Sequence, residues 1–161
     1  MRARVALVPL LLLALSIGAC SDRAGPPMAP LLGGGTADDA SVQAFVTLVN
    51  THRQSLGLGA LVWDQTAADV ALAHSRDMVA RGYFGHTNPD GETSADRLSA
   101  AGIRFTVAGE NIAFGFLAPE DVFVAWMNSP DHRENIEFAG FTHHGVGRFG
   151  TYWTHVFFTP R

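Results

Sequence analysis

The order of the secondary-structure signals along this chain predicts an α+β domain built in layers. Helical periodicities occupy the early and middle parts, from Ser41 to Gly82 and again from Pro119. Strand-like composition is concentrated late, between Gly145 and Phe158. A βαβ fold would alternate the two patterns regularly, so helices packed on a separately formed sheet are the better prediction.

The first two helices are predicted from apolar residues at helical spacing and from residues that favour helix ends. Residues 38–41 include two aspartates and a serine that can cap the start of the first helix, and Gly57 can end it. The second helix is predicted to begin after Asp64, a favourable N-cap, and to stop at Gly82.

The middle of the chain predicts a loop, a short helix and an extended segment. Turn-forming residues dominate Tyr83–Gly91. Thr93 and Asp96 have the spacing of a capping box, which predicts a third helix that ends at Gly102. Phe105–Ala113 is predicted to be extended.

The last part predicts one more helix followed by a hairpin. Pro119 can start a fourth helix, and Ser129-Pro130 breaks it. Gly145–Phe149 and Tyr152–Phe158 have strand composition and are separated by two turn residues, which is typical of an antiparallel hairpin.

The first 19 residues match a secretory signal. They contain basic Arg2 and Arg4, an apolar run over Val5–Ile17, and small residues before Cys20. The apolar run is shorter than the roughly 20 residues that a bilayer-spanning helix needs. We therefore interpret residues 1–19 as a cleaved signal peptide.

The signal ends in Ile17-Gly18-Ala19-Cys20, which resembles a bacterial lipobox. The alternative is an ordinary signal peptide that ends near a cysteine by chance. Cys20 is the only cysteine in the chain, and an exposed lone thiol would be reactive in an oxidising compartment. We therefore expect acylation at Cys20, which would anchor the exported protein to the cell membrane or the outer membrane by lipid.

The remaining chain divides into a linker and a domain. Residues 20–38, which follow the signal, are rich in Gly, Pro, Ala and Ser and are predicted to form a flexible linker after the lipidated cysteine. This leaves 39–161 as the folded domain. Without the two arginines of the signal, 9 of the 11 basic residues remain against 15 acidic ones, a net charge of −6. Such a charge argues against a nucleic-acid partner.

Three residues in loops or at element boundaries, His86, Glu110 and His132, are the candidates for chemistry. Rigid scaffolds commonly hold functional groups at such positions. Two imidazoles and a carboxylate can bind zinc or another divalent cation, and they can equally transfer protons near neutral pH. The common nucleophile, metalloprotease and phosphate-loop motifs are absent from the sequence.

Four other histidines are given structural roles. His52 and His74 lie on predicted helices among ordinary neighbours, so we expect them to pack or to lie on the surface. His143 and His144 are adjacent in extended chain and point to opposite faces. They are therefore poorly placed to bind one ion together.

A series of short motifs runs in order through almost the whole domain. The motifs are Asn50-x-x-Arg53, Gly57-Leu58, Trp63-Asp64, His74-Ser75, Asp77-Met78, Arg81-Gly82-Tyr83-Phe84-x-His86, Asp90-Gly91-x-Thr93, Gly109-Glu110-Asn111-Ile112-Ala113, Trp126-Met127-Asn128-Ser129-Pro130-x-His132-Arg133-x-Asn135-Ile136, Gly145-Val146-Gly147 and Tyr152-Trp153-Thr154. Together they resemble the bacterial branch of the CAP superfamily, which includes cysteine-rich secretory, antigen five and pathogenesis-related proteins. The resemblance implies a three-layer α-β-α sandwich with a central antiparallel sheet and an open cleft.

By matching motif, the resemblance places His86, Glu110 and His132 in that cleft. Eukaryotic relatives have a second glutamate where this chain has Ser129, so a metal would be bound more weakly or would recruit another oxygen. Asp131 is the candidate substitute.

Two more positions are notable in this resemblance. Asn111 could orient the neighbouring Glu110 or donate to a ligand. His155 stands where similar bacterial sequences commonly have glutamine, and it either faces the cleft or continues its strand.

Three functions remain open. The first choice is a binding module that captures a lipid, peptide or envelope fragment, with a divalent ion assisting. A hydrolase of the envelope, with His86 or His132 as base or a metal-bound water, is the second, and Ser75 and Ser129 are its available hydroxyls. The third is a structural or interaction domain whose cleft is vestigial, which the replacement by Ser129 supports.

Overall fold

A four-stranded sheet lies between two groups of helices in the computed structural model, which describes residues 37–161, with side chains from Asp39 onward. The helices are α1 (Ala37–Ser55), α2 (Gln65–Arg81), α3 (Ser94–Ala100), α4 (Pro119–Met127) and α5 (Pro130–Glu137). The strands are β1 (Val62–Trp63), β2 (Phe105–Phe114), β3 (His143–Phe149) and β4 (Tyr152–Pro160). The predicted α+β sandwich is confirmed.

The predicted signal at 1–19, the lipidation site Cys20 and most of the predicted linker lie outside the described residues. Within the described part, no helix combines the length and the apolar character needed to cross a bilayer. Helix α1 already includes Ala37, so residues 38–41 lie inside it and do not cap its start. Acidic residues favour the first turn of a helix as well as the cap, which explains the difference.

The strand order in the sheet is β1-β3-β4-β2. The pairs β3–β4 and β2–β4 are antiparallel, as predicted for the hairpin and for the central sheet. The two-residue strand β1 pairs with β3 in parallel, which is possible because long connections separate the two strands in sequence. Strand β2 is therefore an edge strand, accessible from both helical layers.

Strand β4 contributes side chains to the hydrophobic core on each face of the sheet, because its residues alternate between the two faces. Trp153 and Phe157 pack in the core that contains residues of α1, α4 and α5. Val156 and Phe158 pack on α2 and on Leu98 of α3. Each face of the sheet is thus covered by its own helical layer.

Helix α2 approaches β3 closely at two glycines. A Cβ atom on Gly147 would lie 2.0 Å from the backbone nitrogen of Leu72, and one on Gly145 would lie 2.1 Å from that of Ala68. No side chain fits in this space, which explains the Gly145-Val146-Gly147 motif. The contact fixes the position of α2, which holds part of the candidate site.

The ends of α2 and α3 follow the predicted local signals. Asp64 accepts a hydrogen bond from the backbone of Ala67, and Gly82 adopts a left-handed conformation at the C-terminus of α2 with φ 67°. Thr93 and Asp96 form the predicted capping box of α3. These interactions involve near neighbours in sequence, so they could be predicted without knowledge of the fold.

The sequence analysis missed two elements, the two-residue strand β1 and helix α5. Ser129-Pro130 ends α4 as predicted, and Pro130 also stands at the start of α5, where a missing N–H is harmless. Only Ile136 of this helix is buried. Its apolar periodicity is therefore too weak to be detected.

Two imidazoles form a hydrogen bond in the interior. Nδ1 of His144 lies 2.9 Å from Nε2 of His155, and both residues are buried. Within the described residues, the other two ring nitrogens of this pair have no hydrogen-bond partner. His155 packs against Phe45 and Trp126, so it lies in the core beneath α1 and α4 and not in a cleft.

The burial of this pair makes both imidazoles hard to protonate. Burial, together with the nearby charge of Arg53, lowers the pKa of His144 from 6.5 to about 3. Burial also holds the pKa of His155 well below 6.5. The folded chain therefore keeps the pair neutral at pH values where the unfolded chain takes up protons.

We expect the free energy of unfolding to decrease as the pH falls below about 6.5, because only the unfolded chain binds protons at these two sites. The decrease approaches about 1.4 kcal/mol per pH unit for each imidazole. His155→Gln keeps a polar side chain but removes one titrating group, so its stability should fall less steeply. Urea unfolding of both proteins between about pH 6.5 and pH 4 measures the two slopes, and equal slopes would exclude this explanation.

Candidate functional site

The loop that carries His86 is held from two sides. Nε2 of His74, on α2, donates to the carbonyl of Gly85 at 3.0 Å. Nη1 of Arg97, on α3, donates to the carbonyl of His86 at 3.0 Å. His74 is buried, so its predicted role as a packed residue is confirmed, and it also fixes the backbone next to His86.

Glu110 lies on the edge strand β2 and is nearly inaccessible to water, since its side chain is 3% exposed. Its Oε1 accepts a hydrogen bond from Nδ1 of His86 at 2.9 Å. Its Oε2 accepts one from Nη2 of Arg97 at 2.7 Å. Both carboxylate oxygens are therefore engaged, and the buried negative charge has a guanidinium as its partner.

The hydrogen bond to the buried carboxylate determines which nitrogen of His86 is available to solvent. A carboxylate oxygen only accepts, so Nδ1 of His86 carries a proton and the neutral ring has its lone pair on Nε2. The side chain is 55% exposed. Nε2 of His86 is thus available to solvent, while the hydrogen bond from Nδ1 to Glu110 fixes the orientation of the ring.

Arg97 is the site residue that the sequence analysis missed. Its side chain is nine-tenths buried and contacts both the carboxylate of Glu110 and the carbonyl of His86. The available signal was that a buried carboxylate needs a cationic partner. Arg97 and Arg104 are the two arginines in the segment between His86 and Glu110, so Arg97 was one of two candidates.

Asn111 points to the opposite face of β2. It is buried, its Nδ2 donates to the carbonyl of His132 at 2.8 Å, and its Oδ1 accepts from Asn135 at 2.8 Å. A Cβ on Gly109 would come within 2.9 Å of Asn135, so glycine is needed for this approach. Asn111 is therefore not available to a ligand and does not orient the Glu110 carboxylate; it holds α5 against the sheet.

His132 lies across the edge strand from His86. Its half-buried ring packs against Trp126, with ring centroids 6.2 Å apart. Burial lowers the pKa of His132, the charge of His86 lowers it further, and Asp131 opposes both effects. The two imidazoles are thus close enough to interact electrostatically, but the direct hydrogen bonds of the site join His86 to Glu110.

The other predicted cleft residues lie at the start of α5. Ser129 occupies the N-cap position of α5, where its side chain makes no capping hydrogen bond. Asp131 is in the first turn and exposed, where a negative charge suits the helix dipole. Ser75 is buried, and its hydroxyl contacts the carbonyl of Gly147 and the hydroxyl of Thr154. It is unsuited to act as a nucleophile.

The geometry bears on the predicted metal site. The described residues contain no group of three or more His, Cys, Asp or Glu side chains that could hold a metal ion. In this arrangement the two oxygens of Glu110 already accept hydrogen bonds, one from His86 and one from Arg97. The binding of a divalent cation by His86, Glu110 and His132 stays a prediction.

Two concavities lie on this side of the sheet. A pocket of about 300 Å³ is bordered by His74, Asp77 and Arg97, among others. A larger one of about 720 Å³ lies near Arg104 and Arg161. The smaller pocket shares Arg97 with the cluster around Glu110, but neither His86 nor Glu110 lines it. The candidate site is therefore defined by this cluster and the exposed ring of His86, and the pocket lies beside it.

Comparison with known proteins places this domain in a family. Residues 46–158 match the model of the cysteine-rich secretory protein (CAP) family. The uncharacterized protein YkwD of Bacillus subtilis is 43% identical over 128 residues, which are 76% of this chain and 50% of YkwD. The uncharacterized membrane protein YlbC of the same species is 37% identical over 117 residues, 73% of this chain and 34% of YlbC. This chain thus spans half or less of the length of these relatives.

Two solved structures have a similar fold. An extracellular protein containing an SCP domain from Bacillus anthracis matches with a TM-score of 0.74 and 37% identity, over 76% of this chain and 41% of that one. An outer surface protein from Borrelia burgdorferi matches with a TM-score of 0.72 and 23% identity, over 76% and 94% of the two chains. The second match supports the fold alone. Because the family match covers most of the described domain, this chain belongs to the cysteine-rich secretory protein (CAP) family.

Proposed function

We propose that this chain is an exported, lipid-anchored CAP-domain protein whose cleft binds a small ligand through the imidazole of His86. The ligand is a lipid, a peptide or a fragment of the cell envelope. The observation that carries the proposal is the exposed ring of His86, fixed by the buried pair of Glu110 and Arg97.

A purely structural role does not explain this arrangement well. Removing a carboxylate and a guanidinium from water has a desolvation cost that their attraction only partly offsets. If the cluster served stability alone, the ring that it orients would be expected to pack inside. Instead, more than half of the His86 side chain is exposed, and Nε2 can accept from or donate to the hydroxyl, amide or phosphate groups of a ligand.

Export and anchoring are supported by the N-terminal segment of the chain and by a similar protein. The signal-like residues 1–19 and the lipobox-like segment before Cys20 favour an exported lipoprotein. The similar protein from Bacillus anthracis is described as extracellular. These favour a location outside the cytoplasm, on the cell membrane or the outer membrane.

One feature favours a hydrolase as the second candidate. A carboxylate on Nδ1 leaves Nε2 of a histidine as a general base, which is the orientation used in catalytic His–carboxylate pairs. Because the Ser75 hydroxyl is buried and engaged, water would be the nucleophile. His86 would take its proton, and Glu110, held by Arg97, would keep the His86 ring in place.

The binding proposal predicts that His86→Ala loses affinity for the ligand by about tenfold or more, because one oriented hydrogen bond to a charged group contributes about 1.5–3 kcal/mol. Calorimetry of the mature chain against phospholipids, peptides and soluble envelope fragments, with and without zinc, measures this. His143→Ala, which removes a half-buried imidazole at the β1 side of the sheet, is the matched control. If no probe binds the wild-type chain, or if both variants bind equally, the proposed role of His86 is wrong.

The hydrolase candidate makes a different prediction for Glu110. If His86 is a general base, Glu110→Gln removes the charge that holds its tautomer, and turnover of an envelope substrate should fall about a hundredfold or more. Ligand affinity should change much less. Circular dichroism checks that the variant folds. Binding by the wild type without turnover would leave the binding module as the function.

A further inference from the structure

Exposed aromatic side chains gather at one end of the sheet. We call this surface the aromatic patch and define it as Phe84, Phe114, Phe149 and Tyr152. The rings of Phe84 and Phe114 meet edge to face at 5.0 Å between centroids, and those of Phe114 and Tyr152 stack at 5.7 Å. Phe84 is 47% exposed and Phe114 is 55% exposed. The rings therefore pack on one another without being covered.

The patch differs from the other aromatic clusters of the domain. Trp126, Trp153 and Phe45 are buried in the core beneath α1 and α4. A contiguous patch of exposed apolar side chains on a protein surface commonly marks an interaction site, whereas single exposed apolar side chains need no such explanation. A cation lies at the edge of the patch, because the guanidinium of Arg76 is 5.6 Å from the ring centre of Phe149.

The chain enters the domain at the same end of the sheet. Helix α1 is described from Ala37, and Ser41 in its second turn accepts a hydrogen bond from Nη1 of Arg148 at 2.7 Å. Arg148 directly precedes Phe149 of the patch. Because adjacent strand residues point to opposite faces, the segment that comes from Cys20 joins the domain at the end of the sheet that carries the aromatic patch, on the opposite face.

The length of that segment limits how the domain can sit on a membrane. Sixteen residues separate Cys20 from Ala37. Sixteen residues reach at most about 55 Å when fully extended, and a random coil of that length has a mean span of about 22 Å. This is less than the width of about 35 Å that a domain of this size has. The end that carries the patch is thus favoured to lie nearest the bilayer.

We propose that the aromatic patch docks on the bilayer that holds the acylated Cys20, with its rings in the headgroup region. Aromatic side chains favour this interface because they have apolar bodies and polar or polarisable edges. Arg76 is placed to meet lipid phosphates. The proposal rests on the lipid anchor of the proposed function, which raises the local concentration of the patch at the membrane.

Docking would also orient the candidate site. His86 follows Phe84 by two residues, and Glu110 precedes Phe114 by four residues on the same face of β2. The cleft would then lie beside the membrane surface. Ligands at that surface, such as lipid headgroups or membrane-bound envelope precursors, would be the ones within reach.

The test uses the mature chain with Cys20→Ser, so that only the protein surface can bind lipid. Co-sedimentation is measured with vesicles of phosphatidylcholine and phosphatidylglycerol. Phe84→Ser combined with Phe114→Ser should weaken partitioning by about a hundredfold, roughly tenfold for each ring withdrawn from the interface. Leu56→Ser combined with Val62→Ser, which removes two equally exposed apolar side chains outside the patch, should have little effect.

Each outcome decides the proposal. Loss of vesicle binding in the aromatic variant alone supports docking. No vesicle binding by the Cys20→Ser chain, equal binding by both variants, or binding to envelope polymer in preference to vesicles would overturn it. The anchor is tested separately by incorporation of labelled fatty acid into the full chain, and the cleft by the affinity of His86→Ala for soluble peptides and envelope fragments. A failed anchor or an empty cleft is thereby distinguished from a failed docking surface.

Discussion

The carboxylate of Glu110 is the group on which the candidate site depends. It is charged, buried in the edge strand, and bonded on one oxygen to Arg97 and on the other to His86. Loss of either partner would leave a buried group incompletely satisfied, which is among the costliest single defects in a protein interior. Helix α3, the loop before it and strand β2 are therefore coupled through this one side chain.

The edge strand links this cluster to the opposite layer. Successive residues of a strand point to opposite faces, so Glu110 holds the loop of His86 while Asn111 holds α5 through the carbonyl of His132. The Gly-Glu-Asn motif thus joins both helical layers to one short stretch of backbone. This explains how two imidazoles from distant parts of the chain come to lie on either side of β2.

The sequence predicted features that depend on near neighbours and missed those that depend on the fold. The Asp64 cap, the Thr93–Asp96 capping box and the final hairpin need only local signals. Arg97 could be assigned only once α3 was placed against β2, and α5 carries too little buried surface to show a period. The contact of His144 with His155 follows from the hairpin register, in which the two residues lie diagonally on one face, but it requires that register to be known.

The central claim is that Glu110 fixes the tautomer and the orientation of His86. Nitrogen NMR of the imidazole rings in the mature chain at about pH 8 tests it most directly, because the two neutral tautomers have different nitrogen shifts and couplings. We expect His86 to carry its proton on Nδ1 in a single, well-defined form. A ring protonated mainly on Nε2, or one that exchanges freely between the two forms, would contradict the claim.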